Sequence, residues 1–138
     1  MPVTPQLHQS AQRLSASEIS HMLSSGAIFT VTIRDGNPIP LFILQGRNSA
    51  LLQRLRNTLG FGSIYTWDIP ELEVRGVADC LQLVEFLGDS PPFEGELLQV
   101  YRAWKSLVLY LSEHPDYSVV EVQQLMSAMN PRHARFSL

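Results

Sequence analysis

One cysteine, Cys80, stands in a chain of 138 residues. A lone thiol forms no internal disulfide, so the fold must hold by packing. Cys80 lies in an apolar run, where a free cysteine acts as a small core residue. No apolar stretch approaches the ~20 residues that a membrane-crossing helix needs, so no membrane partner is expected. The four histidines, His8, His21, His114 and His133, lack metal-ligand spacing and have no cysteine partners. Neither a metal nor a cofactor is expected. A Gly-rich phosphate loop is missing too, because Gly60 and Gly62 alone are too short a pattern for a nucleotide fingerprint. Charge is scarce, at 17% of residues, and its balance is −3. That balance argues mildly against strong phosphate binding by a single chain as a whole, although local patches can be basic. The first twelve residues carry no basic-then-apolar leader pattern, so an intracellular protein, cytoplasmic or organellar, is expected.

What the chain does have is enough apolar sequence, 45%, for one cored domain. Residues 1–13 lack periodicity and are expected to form a flexible N-terminal arm. Residues 14–130 read as the domain, and residues 131–138 as a short basic tail. The organising stretch runs from Leu14 to Ile33. Ser15 or Ser17 can cap a helix, with Glu18 three residues after Ser15 as in a capping box. Ile19, Met22 and Leu23 follow at helical spacing, and Gly26 ends the helix. From Ala27 the period becomes two: Ala27, Phe29, Val31 and Ile33 point one way, and Thr30, Thr32 and Arg34 the other.

Asp35-Gly36 signals a hairpin, and an apolar strand follows from about Ile39 to Gln45. Asn48 or Ser49 opens a second helix that presents Leu51, Leu52, Leu55 and Leu59 to the core and stops at Gly60. A strand over Phe61 to Trp67 and another over Glu71 to Arg75 come next. Helices are expected over about 77–87, 94–112 and 118–129. The longest carries a buried stripe of Leu97, Tyr101, Trp104, Val108 and Leu111. The order α-β-β-α-β-β-α, with two more helices after it, implies an α+β fold: a four-stranded antiparallel sheet with helices on one face and an extra C-terminal helix.

With this order in place, the chain resembles the LAGLIDADG homing endonucleases of the single-motif, homodimeric type. The most specific match is Leu59-Gly60-Phe61-Gly62-Ser63-Ile64-Tyr65, a Leu-rich helix ending in Leu-Gly-x-Gly before a strand. The segment Val74 to Leu87, the helix segment Trp104-Lys105-Ser106-Leu107-Val108 and the closing Leu125 to Asn130 match in order. The resemblance implies a homodimer crossing through small residues of the first helix, here Ser17, Ser20, His21 and Ser24. It also implies that the sheets of two copies form a saddle in the major groove of DNA. Outward residues placed to contact nucleic acid are then Thr30, Thr32, Arg34, Ser63, Tyr65 and Arg75, with Arg47 on a nearby basic surface.

The departure from the family is as informative. Active members place an acid immediately before the glycine that ends the first helix, where it holds Mg²⁺. Ser25 occupies that position, and Leu23 stands where an earlier acid is often found. A neutral serine is a poor ligand for a cation that wants carboxylate oxygens. Glu18 lies two turns back, and Asp35 lies at the hairpin tip. No lysine appears between Glu94 and Val100. The face itself sets Glu71 and Glu73 against Arg34 and Arg75. Three functions remain open at this point: a DNA-binding homodimer without cleavage, acting as a regulator; a structural or protein-interaction subunit reusing the scaffold; and an endonuclease with an unconventional metal site. A Ser-His hydrolase built on His21, Ser24 and Ser25 lacks a strained elbow and a third partner.

Overall fold

The structure, a computed structural model, describes residues 14–46 and 48–129. The expected N-terminal arm, Arg47, Asn130 and the basic tail lie outside the described residues. Among the described residues nine elements follow in order: α1 (Ala16–Gly26), β1 (Ala27–Arg34), β2 (Asn37–Gln45), α2 (Ser49–Leu59), β3 (Ser63–Tyr65), β4 (Glu71–Arg75), α3 (Val77–Leu87), α4 (Gly95–Glu113) and α5 (Val119–Ser127). The strands form one antiparallel sheet in the order β1-β2-β4-β3.

Local chemistry accounts for most boundaries. Ser15 Oγ accepts the Glu18 amide at 3.2 Å, and Glu18 Oε1 accepts the Ser15 amide at 3.0 Å, closing the capping box. The Ser15 backbone amide, and after it the Ser15 side chain, hold the Glu18 carboxyl below its ordinary range. Asn48 and Ser118 cap α2 and α5 in the same way, through the amides of Leu51 and Glu121. Asp35 and Gly36 both take positive φ, at 54° and 80°, which is the primed hairpin turn that matches strand twist.

The inward faces of the strands meet all the helices in one core. Phe29 sits at its centre, with ring centroids 5.2 Å from Phe42, 5.3 Å from Tyr101 and 5.0 Å from Trp104. Trp104 Nε1 donates to the Thr30 carbonyl at 2.8 Å, which ties α4 to β1. Tyr101 donates its hydroxyl to Gly88 O at 2.9 Å, and burial, with Asp89 nearby, pushes its pKa up to about 12. Lys105, the residue after Trp104, pairs with Asp89.

Several expectations shift by small amounts. The third strand covers three residues instead of seven: at Tyr65 it reaches Glu71, where β4 begins, and at its other end Gly62, with φ 105°, interrupts the extended run. Leu97 is half-buried, while Val100 and Leu107 join the buried stripe of α4. Val119, in the first turn of α5, is exposed, and α5 ends at Ser127.

Cys80 is fully buried, its Sγ 3.4 Å from Pro40 O, and burial pushes the thiol pKa well up. The native protein should therefore resist a thiol-specific chromophoric reagent at pH 8 and react only as it unfolds. Rapid stoichiometric labelling of the native state would show that α3 opens readily from β2.

Candidate nucleic-acid interface

Two surfaces make up the candidate site: the free side of α1 and the sheet face turned away from the helices. On α1, Ile19 and Leu23 pack into the core, which leaves the stripe of positions 17, 20, 21 and 24 outside. Ser17, His21 and Ser24 are exposed. Ser20 is half-buried, and its hydroxyl donates to Pro92 O at 2.9 Å, tying α1 to the loop before α4. Ser25 is exposed at the helix end, where its hydroxyl turns back to donate to Met22 O at 2.9 Å.

A hollow of about 190 Å³ beside that end is lined by His21, Ser25, Gln45 and Asn48, among others. Gln45 Nε2 donates to Glu71 Oε1 at 3.2 Å, so the β2–β4 register joins a carboxylate to this corner. Gln45 escaped the sequence reading. Its one signal was a polar residue closing an apolar strand, and its partner is set by register. Among the described residues, no three His, Cys, Asp or Glu side chains converge to hold a metal ion. The helix end does not suit Mg²⁺: a hydroxyl already bonded to a carbonyl stands where a carboxylate would be needed.

The sheet face is read from the register. Thr30 pairs with Leu41, Leu41 with Arg75, Ile43 with Glu73, and Glu73 with Ser63. Arg34 is exposed at one corner, Ser63 is exposed on β3, and Thr32 is half-buried. Arg75 does not extend freely: its Nε and Nη2 both lie 2.8 Å from Glu73 Oε1, a chelated pair on one strand. Tyr65 is half-buried and stacks on Trp67 at 5.4 Å with an interplanar angle of 6°. Trp67 itself is 63% exposed. Thr30 corrects the sequence reading. It lies on the outward side as its alternation demands, yet it is completely buried and is not offered to a ligand. Period two tells which side a residue takes, and nothing about whether that side is covered. Arg47 lies outside the described residues.

No protein-family model matches the sequence, and no curated protein matches it. Solved structures do. The homing endonuclease I-TnaI superposes with a TM-score of 0.73 and 16% identity, over 86% of this chain and 89% of its own. The LAGLIDADG homing endonuclease I-SmaMI, bound to cleaved DNA, gives a TM-score of 0.76 at 15% identity, over 86% of this chain and 45% of its own. The LAGLIDADG meganuclease I-AabMI, bound to uncleaved DNA, gives 0.73 at 12% identity, over 85% and 45%. The chain has the LAGLIDADG homing-endonuclease fold. It spans nearly all of I-TnaI but under half of I-SmaMI and I-AabMI.

Proposed function

We propose that this chain is a DNA-binding homodimer of LAGLIDADG type that does not cut DNA and acts as a regulator. The observation that carries the reading is the combination of this fold with an uncharged end of α1, where Ser25 bonds to Met22 O. Two such units would meet through Ser17, Ser20, His21 and Ser24, an isologous contact in which small side chains let two backbones approach. Duplex contacts would come from Arg34, Thr32, Ser63 and Tyr65, with Arg75 available once Glu73 releases it and Arg47 adding a backbone contact. Mg²⁺-dependent strand cleavage has no carboxylate to run on at the helix end.

The experiment is a gel shift on genomic fragments over a salt series, beside light scattering for mass and a supercoiled plasmid incubated with Mg²⁺ or Mn²⁺. The reading expects a dimer mass, affinity that falls steeply with salt, and no nicking. Arg34→Glu should weaken binding roughly ten-fold, about 1.4 kcal/mol, and flatten the salt slope. Site-specific cutting would establish an enzyme instead.

A second reading, a protein-interaction subunit on the same scaffold, is favoured by one observation. The sheet face sets its charges against each other, Arg75 being taken by Glu73, and the chain's net charge is −3. A dimer that shifts no duplex and is indifferent to Arg34→Glu would point there.

A further inference from the structure

Trp67 is the largest side chain that the described residues leave in water, 63% exposed. It sits in the turn between β3 and β4 and stacks on Tyr65, with ring centroids 5.4 Å apart and planes 6° from parallel. A tryptophan with one face on a tyrosine that still shows this much surface shows its other face. Trp67 stands outside the core cluster, so packing gives no reason for an indole at this place. The pair is anchored. Tyr65 pairs with Glu71 across β3 and β4, and Pro70 O accepts the Gly46 amide at 3.0 Å, tying the turn to the end of β2. A ring already fixed by its neighbour loses little freedom when something lies on it.

The surroundings select what that is. From Asn57 to Val74 the sequence holds Asp68, Glu71 and Glu73 and no Lys, Arg or His. Carboxylates repel phosphate, so the turn is not built to grip a DNA backbone. A nucleobase differs. Its plane is uncharged and stacks on an aromatic ring whatever its identity, and its N–H edges donate to carboxylates. Asp68 is exposed beside the ring, and Glu71 holds one oxygen toward Gln45 Nε2 at 3.2 Å. A base in an intact pair does not come to the ring, because extruding it costs at least what one aromatic stack returns. A base that is already unpaired meets no such cost. Position agrees. The register sets Tyr65, Glu71 and Gln45 in one row, and Gln45 lines the hollow beside Ser25 at the end of α1.

We infer that Trp67, backed by Tyr65, is a stacking platform for an unpaired nucleobase, which makes the protein prefer duplex DNA carrying such a base over fully paired duplex. The inference rests on the DNA reading above and adds to it the kind of DNA recognised.

The test uses the full chain. A short duplex of arbitrary sequence is compared with the same duplex carrying one extra, unpaired cytosine at its centre. Anisotropy of labelled DNA gives the affinities. Acrylamide quenching reports on the ring, since the chain has two tryptophans and Trp104 is fully buried. The extra base should tighten binding by roughly ten-fold or more and shield Trp67 from the quencher. The ratio should hold across a salt series, because a stack releases no counterions. Trp67→Ala should bring the two duplexes to within about two-fold of each other, and Trp67→Phe should keep most of the preference. A preference that survives Trp67→Ala comes from the flexibility of the bulged duplex and overturns the inference. Equal affinity for both duplexes, with Trp67 still open to the quencher, overturns it too and leaves the ring to a cationic side chain of a protein partner. Binding of neither duplex refutes the DNA reading itself, and the inference with it.

Discussion

Trp104→Ala should remove most of the stability of this domain, roughly 3–5 kcal/mol. Trp104 is fully buried, packs 5.0 Å from Phe29 and 6.4 Å from Tyr101 between ring centroids, and donates to Thr30 O at 2.8 Å. Truncation leaves a cavity beside the central aromatic ring and removes the hydrogen bond to the Thr30 carbonyl, itself worth about 0.5–1.5 kcal/mol. Domains of this size hold only about 5–15 kcal/mol in total. Urea unfolding followed by far-UV circular dichroism measures the loss. Trp104→Phe separates the two causes, since it keeps a ring in place but no donor, and should fall between wild type and alanine. An alanine variant with an unchanged midpoint would mean that Trp104 does not hold α4 against β1.

Gly62→Val should be the most damaging substitution in the β3 region, at about 2–6 kcal/mol. Gly62 has φ +105°, a region L-residues rarely adopt, and holding a branched side chain there costs about 1–3 kcal/mol. The space is taken as well. A Cβ would sit 3.1 Å from Leu72 Cδ1 and 3.4 Å from Glu73 O and Val74 Cγ2, and overpacking of this kind adds about 1–3 kcal/mol. Gly60 supplies the control. It is left-handed at φ +87° with nothing within 4 Å, so Gly60→Val carries backbone strain without the clash. The difference between the two urea midpoints isolates the packing part. Gly62 immediately precedes the strand that carries Ser63 and Tyr65, so its loss should also weaken any duplex binding. Equal midpoints for the two variants would show that β4 gives way without cost.

Local features were legible because their causes are local. The Ser15 and Glu18 capping box, the Asp35-Gly36 turn and the strict alternation of β4 each depend on a few adjacent residues, and each stands where the periodicity put it. The four-stranded antiparallel sheet and the α+β layering followed from element order and were legible as well, whereas the spatial order β1-β2-β4-β3 came only with the tertiary structure. The length of β3 was not, because one end is set by where β4 begins, opposite Tyr65, and the other by the positive φ of Gly62. Nor was the Gln45–Glu71 contact, which joins residues 26 positions apart through a register no single strand encodes.

The sequence by itself determined which residues share a side: helical and strand periods are geometric and survive any tertiary setting. It also determined that the end of α1 is uncharged, since Ser25 is simply the residue there. Tertiary structure decided which of those sides meets water. Thr30 and Arg34 alternate onto the same side of β1, yet one is sealed and the other exposed. Burial is a property of what is packed above a residue, and that can arrive from anywhere along the chain.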